Sequence, residues 1–515
     1  MLGSGLNVNT SLFSHLWETV LPTYVLNTVY LGFIVSFFAA FFGVTAAALI
    51  TQTNIKAKSI LRWLLMLPLA MPAYLVAYLY TDFLDYAGPV QRFLRETFDW
   101  KTSEQYWFFD IRTLWGAGII ISLVLFPYVY MLARTAFEQQ DQNLHRASRL
   151  LGLTTFQTFY NVCLPLARPA IAIAISLVLM ETLADFATVQ YFAVNTLTTA
   201  VYDTWLGYGD LSAANALASL LTLMVFFIVL FEQKARIKQR HQSNRPNRGS
   251  HVILLTPLQQ LLANIFCWSL ALLGFLLPLA LLIVMAVEYA TFAQLDALID
   301  TGFNSIELAV YTATIATIIA IVLVLYKRLH QDTFKAVPLN VSGFGYAIPG
   351  TVLAMAMLAT FGPIDNVINE LATKVGVDEP GLILSGTLFA IVFAYVVRFS
   401  AIANGTLSSG VEQISQSIDL APPSLGVGAL KGVFTVHIPL LKPSIFIAWL
   451  LVFVEAMKEL PAVLLLRPFN FDTLSTHIYQ LISDERLEQG AIGAILIVAF
   501  GLIPIIWLNK TEDNE

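Results

Sequence analysis

Apolar runs long enough to cross a bilayer alternate with short polar breaks along most of the chain. A hydrocarbon core takes about 20 apolar residues per helix. Windows of that kind fall near 23–50, 59–82, 113–137, 167–192 and 212–232, then near 261–288, 303–326, 340–361, 381–404, 443–466 and 489–508. The pattern predicts eleven spans and an all-α polytopic membrane fold. Between the fifth and sixth windows, "EQKARIKQRHQSNRPNRGSH" reads as a hydrophilic linker carrying Lys234, Arg236, Lys238, Arg240, Arg245 and Arg248. The positive-inside rule makes it cytoplasmic. Threading the spans from that anchor predicts an N-terminus outside and a C-terminus inside, with about 20 of the 28 Lys and Arg on cytoplasmic segments.

Composition agrees with the pattern. Of 515 residues 57% are hydrophobic and 12% charged, with a mean hydropathy of +0.72, far from the mix of soluble domains. A net charge of -6 argues against a nucleic-acid partner and leaves the lipid bilayer as the bulk contact. Cys163 and Cys267 stand apart, with no C-x-x-C or His-rich company, so neither a disulfide nor a zinc site is expected. The first 20 residues lack the basic start, short apolar core and small-residue site of a cleavable leader, and none is expected.

The chain is internally duplicated. Asn27-Thr28 matches Asn304-Ser305 and Pro72 matches Pro349, both 277 residues on, while Gly152 and Gly426, Pro165 and Pro439, and Glu181 and Glu455 keep 274. "TLTTAVY" from Thr196 returns as "TLSTHIY" from Thr473. An even number of spans separates the copies, so they run in the same direction: a parallel repeat, with an expected pseudo-two-fold axis along the membrane normal. The span near 261–288 has no counterpart, and the layout reads as five, one and five.

Two stretches interrupt the apolar pattern at repeat-related positions: "HRASRLLGLTTFQTFYNVCLPLARPA" and "LAPPSLGVGALKGVFTVHIPLLKPSI". Each has Ala, then Gly five residues on (Ala147 and Gly152; Ala421 and Gly426), then an apolar residue ten further (Val162; Val436), then an apolar-Pro pair (Leu164-Pro165; Ile438-Pro439). The spacing predicts a short helix, a turn that glycine permits, and a second short helix stopped by proline on the cytoplasmic surface. Ordinary connecting loops would not be expected to keep Gly, Val and Pro in register twice.

These stretches resemble the EAA loop of type I ABC importer permeases, and two of them in one chain resemble the fused permeases of iron(III) uptake systems. The segments from Met180 to Asp210 and from Lys458 to Ala494 are similar to that subfamily in particular. The position of the motif's Glu is Arg146 in the first loop and Leu420 in the second, a departure from the family. The resemblance implies two type I permease cores, at 27–232 with coupling loop 145–170 and at 304–508 with coupling loop 420–445. They are flanked by an extracytoplasmic segment 1–26, a linker with one extra helix 233–303, and a cytoplasmic tail 509–515. It further implies that the loops dock into two separate ABC ATPase subunits, which would use ATP and Mg, and that a periplasmic iron-binding protein delivers the cargo. The chain has no G-x-x-x-x-G-K-S/T, so phosphate chemistry is not expected of it: it reads as a transport subunit, not an enzyme, with no cofactor of its own. Thiamine, or another small cationic solute, is the alternative cargo. A secondary transporter is the alternative class.

Acids recur inside the membrane. Glu181 and Asp185 lie four apart, as do Glu455 and Glu459, and a helix running through them would put each pair on one face. An ionisable group at such depth costs roughly 2.5 to 3.5 kcal/mol on insertion scales, so each should face a cavity or a counter-charge. In one reading the four acids line the path of a hard cation, which prefers carboxylate oxygen. In the other, Glu455 pairs with Lys458 and the rest cap backbone breaks. No tight metal site is expected, since a path that held its cargo would not release it.

Overall fold

Proline breaks, not length alone, shape the helices of this protein. The computed structural model describes residues 18–140, 147–148, 150–240, 253–289, 293–329, 337–415, 417–424 and 428–512. Over these residues the chain falls into two units, 18–208 with 219–289 and 505–512, and 209–218 with 293–504.

The unit holding the first copy contains α1 (Leu21–Gln52), α2 (Lys58–Leu64), α3 (Ala73–Leu84), α4 (Leu114–Glu138), α5 (Leu164–Ala184), α6 (Ala187–Tyr191) and α7 (Leu197–Tyr202). Helix α8 (Leu211–Arg240) follows, and α9 (Pro257–Ala271) continues through a π-helical turn, Leu272–Leu276, to Tyr289. The second copy comprises α10 (Ala293–Leu329), α11 (Val337–Ser342), α12 (Gly350–Val375), α13 (Leu388–Gln413), α14 (Ser417–Ser424), α15 (Ile438–Lys458), α16 (Pro461–Leu466) and α17 (Leu474–Ser483). Helix α18 (Leu487–Glu512) closes the chain. Among the described residues the one β-type pairing is a single bridge between Thr53 and Ile253.

Among the described residues ten helices are long and apolar enough to span, and an eleventh arises if Lys58–Ala70 and Ala73–Phe98, bent by 94°, count as one crossing. The second window, expected as one run over 59–82, is therefore broken. Pro68 sits in the 3-10 turn Leu67–Ala70 and Pro72 precedes α3 with extended backbone, and a proline has no N–H with which to continue a ladder. The second copy repeats the device with the turn Gly345–Ala347 and Pro349, so α12 starts at Gly350 and not near 340.

Each copy is built on three mutually packed helices: α1, α4 and α5 in the first, α10, α13 and α15 in the second. Membrane helices associate through close packing of small residues, and α1 meets α4 at Gly43. A Cβ there would stand 2.6 Å from Val129 Cβ and 2.8 Å from the Tyr130 backbone nitrogen. The extra helix belongs to the first copy's unit. Gln260 Nε2 donates to Asn54 O at 2.8 Å, Tyr80 Oη donates to Leu273 O at 2.5 Å, and Gly274 approaches Pro68 and the Leu123 carbonyl. Three expected boundaries move. Helix α1 begins inside segment 1–26, α10 begins before 304, and α18 runs to Glu512, within the expected tail.

Candidate functional site

The acids sit where membrane helices break. Helix α5 ends at Ala184, and Asp185 has extended backbone (ψ 113°). Its Oδ1 accepts from Thr188 N at 2.9 Å and so caps α6. Helix α15 ends at Lys458, Glu459 is again extended (ψ 127°), and its Oε1 accepts from Ala462 N at 3.3 Å, capping α16. The expectation that each acid pair shares one helix face is thereby corrected: Asp185 and Glu459 lie past the ends of the helices that carry Glu181 and Glu455, and helical phase does not extend to them. Glu181 and Glu455 remain within α5 and α15, half-buried. Lys458 Nζ stands 3.7 Å from Glu455 Oε1, the local pairing that the sequence suggests.

Short helices after each break are tied back to the first helix of their own copy by a duplicated set of hydrogen bonds. Thr196 and Thr473 each form a capping box with the residue three on. Leu197 N donates to Thr28 Oγ1 at 2.9 Å and Leu474 N to Ser305 Oγ at 2.7 Å. Asn27 Nδ2 donates to Asn195 O at 2.9 Å, and Asn304 Nδ2 to Asp472 O at 3.0 Å. The Asn-Thr/Ser and Thr-Leu matches in the sequence are thus two ends of one contact, made twice.

The surroundings of the two capping acids differ. Arg398, in the middle of α13, places Nε 3.5 Å from Glu459 Oε2, and both side chains are about 6% exposed. Arg398 also donates from a terminal nitrogen to Ile348 O at 3.3 Å, beside the Pro349 break, and Tyr395 Oη donates to Glu459 O at 3.3 Å. One guanidinium thus joins both breaks of the second copy. The start points Thr113 and Thr387 of α4 and α13 keep the 274 offset, which sets Val124, 4% exposed, in the place of Arg398. Among the described residues no ion pair is made by Asp185. Thr188, whose backbone N–H it accepts, is 0% exposed. Sequence reasoning missed Arg398, although a lone arginine deep in an apolar window already demands a counter-charge.

The loops also depart from expectation. In the first, Leu151 N donates to Ala147 O at 3.0 Å and Leu153 N to Ser148 O at 3.1 Å around Gly152, whose φ is +78°. This is a helix end closed by a left-handed glycine, and nothing lies within 4 Å of where a Cβ would point. Conformation, not space, calls for glycine there. Thr154 and Gln157 form a capping box at the start of Thr155–Thr158. Contrary to expectation, Pro165 does not stop a helix: a π turn over Phe159–Cys163, which includes Val162, leads into α5 at Leu164, with Pro165 in its first turn. Val433–His437, including Val436, does the same before Ile438 and Pro439 of α15. Leu164 N reaches Phe159 O, and Ile438 N reaches Val433 O. The wider turn moves the carbonyl four residues back away from the proline ring. Ala421 lies on α14, and Gly426 lies outside the described residues.

Helix α14 is anchored by Asp419, which the sequence reading passed over. Its Oδ1 and Oδ2 accept from Arg328 Nε at 3.0 and 2.9 Å, and Oδ1 faces His437 Nε2 at 2.8 Å. Arg328, in the last turn of α10, further donates to the carbonyls of Val411, Ile414 and Ser415. The second loop is therefore bolted to α10, the end of α13 and the π turn before α15. An acid one residue before the motif's Glu position was the available signal.

Comparison with known proteins finds that residues 16–238 match the family of binding-protein-dependent transport system inner membrane components. The chain is similar to the Fe(3+)-transport system permease protein FbpB 2 of Haemophilus influenzae, 26% identical over 408 residues, covering 78% of this chain and 77% of that one. It is similar to the ferric transport system permease protein FbpB of Actinobacillus pleuropneumoniae, 26% identical over 499 residues, covering 93% and 69%. A putative molybdenum transport system permease protein of Bacillus subtilis is 26% identical over 200 residues, covering 38% of this chain and 84% of its own.

Proposed function

We propose that this chain, whose residues 16–238 form a domain of the binding-protein-dependent transport system inner membrane component family, is the permease of an ATP-driven importer of ferric iron. It is a multi-pass protein of the bacterial inner membrane and a transport subunit. The observation that carries the reading is the duplicated unit of loop, π turn, membrane helix and acid-capped break, in a chain that aligns over most of its length with relatives named as ferric permeases.

In this reading each loop receives one ABC ATPase subunit. The first loop presents Gly152 and the residues about Val162, Leu164 and Pro165; the second presents those about Val436, Ile438 and Pro439. ATP and Mg act on the ATPases, and a periplasmic binding protein supplies iron from the other side. Within the membrane the acids divide by role. Glu181 and Glu455 stay on helix faces one turn before the breaks and serve cargo passage, with Lys458 tempering the second. Asp185 and Glu459 hold the breaks. A hard trivalent cation suits carboxylate oxygen, and loosely spaced carboxylates let it move on.

The test replaces Glu181 and Glu455 together by Gln, which keeps size and hydrogen-bonding capacity. Assembly with the ATPases and ATP hydrolysis should persist while uptake of labelled iron falls by tenfold or more, roughly one step of 1.4 kcal/mol in the barrier. Undiminished uptake removes this pair from the path, and uptake of thiamine instead of iron reassigns the cargo.

A further inference from the structure

Within each copy, the contact between the first helix and the helix that follows the loop is completed differently. In the second copy the indole N–H of Trp449 on α15 donates to Thr314 Oγ1 on α10 at 3.1 Å, and the Trp449 ring stacks on Phe453. The matching residues of the first copy, by the same offsets of 274 and 277, are Ile175 on α5 and Phe37 on α1. These two line an open groove of about 680 Å³. Its walls are mainly apolar, with Phe37 and Phe41 on one side and Leu164, Ile171 and Ile175 on the other, and Phe159 of the π turn lies at its loop end.

We propose that this groove seats one anionic phospholipid from the leaflet on the loop side, with its acyl chain in the place that the Trp449 indole fills in the second copy and its phosphate at Arg168. Depth, surroundings and charge carry this. The α5 wall from Leu164 to Ile175 is about 16 Å of helix, close to half of a hydrocarbon core about 30 Å thick, which is the reach of one leaflet. Phe37 and Phe41 are 57% and 51% exposed on a helix long and apolar enough to span. Such walls take hydrocarbon, since apolar cavities stay dry. Arg168 lies on the stripe of α5 that carries the wall, four residues after Leu164 and three before Ile171. It is exposed and makes no ion pair among the described residues. Side chains lean towards the start of their helix, which for α5 is the loop end, so the guanidinium reaches towards the head groups. A phosphate offers that planar fork a two-pronged partner.

Lys442 stands at the matching position of the second copy, where Trp449 takes up the seat, so the charge is there without room for the chain. Only the first copy is expected to hold a lipid. The bound chain ties α1 to α5 as the Trp449–Thr314 hydrogen bond ties α10 to α15, and at Phe159 it lies against the root of the first loop. The inference stands apart from the iron reading.

The test uses the purified full-length chain in phosphatidylcholine nanodiscs with a trace of photoactivatable phosphatidylglycerol. Crosslinks should concentrate on the peptides carrying Phe37 to Phe41 and Ile171 to Ile175. Unlabelled phosphatidylglycerol should displace them at about tenfold lower concentration than added phosphatidylcholine, the worth of one hydrogen bond to a charged group. Phe37→Thr together with Ile175→Trp copies the second half and should abolish these crosslinks. Arg168→Gln should keep them while the two lipids come to compete equally, and Lys442→Gln should change neither. Crosslinks spread evenly over the exposed faces of α1 and α10 overturn the proposal. So does a double variant, folded by its unfolding temperature, that labels as wild type, or an Arg168→Gln chain that still prefers phosphatidylglycerol. The wild-type crosslink map needs no substitution, so a double variant that fails to fold leaves the map and Arg168→Gln to decide. The assay contains no iron, ATPase or binding protein, so its failure leaves the transport reading where it stood.

Discussion

Between α5 and α6 the chain turns on Asp185, which makes no ion pair among the described residues; between α15 and α16 it turns on Glu459 with Arg398 pressed against it. The two turns share their caps, the helices they join and the threonine boxes that follow. What duplication preserved is the set of groups that direct backbone. What diverged is the charge balance, because a cap needs only an acceptor at the right place, whereas a buried charge needs an opposite one somewhere near it. A broken membrane helix can thus be conserved as geometry while its electrostatics are solved twice in different ways.

The sharpest way to break this comparison is to neutralise each acid alone. Glu459→Gln leaves the Arg398 guanidinium buried beside a neutral amide, and removing one member of a buried pair costs about 3 to 5 kcal/mol. Asp185→Asn retains an acceptor that caps about as well, with an expected loss under about 1 kcal/mol. Thermal unfolding of the two purified variants decides it, and equal losses would mean that the breaks are not electrostatically distinct. Next in size is Gly43→Ala. The added carbon meets Val129 and the Tyr130 backbone, and such overpacking costs about 1 to 3 kcal/mol. The second copy already has Ala320 at the matching position, so Ala320→Gly should cost only the propensity difference, about 1 kcal/mol. A Gly43→Ala chain as stable as wild type would show that α1 and α4 can move apart freely. The smallest effect is expected from Gly152→Val. A β-branched residue at positive φ costs roughly 1 to 2 kcal/mol locally, so the variant should fold as wild type but co-purify with less ATPase. Full recovery of the ATPase would detach this turn from docking.

The spans were legible because length and apolarity are summed over many residues, and each of the eleven windows corresponds to a helix or to the bent pair. Gly152 was legible because its left-handed backbone favours one residue type. The breaks were not. Hydropathy runs straight through Ala184-Asp185-Phe186, and whether an acid lies on a helix or caps the next one depends on a single ψ angle. The prolines at 165 and 439 misled in the other direction, since a stop was inferred from their missing N–H while a π turn absorbs it. Arg398 and Asp419 are tertiary facts: their partners are 61 residues on at Glu459 and 91 residues back at Arg328, and no local pattern joins them.

The π turns at Phe159–Cys163 and Val433–His437 join each loop to the membrane helix that follows it. Such a turn stores one residue beyond the α-helical count, so winding it tight would advance everything on its far side by one helical step, about 100° of rotation with about 1.5 Å of travel. A push on the loop that is taken up there emerges in α5 or α15 as torsion with little thrust, as with a coarse screw, and the acid at the far end is swung about the helix axis instead of being driven along it.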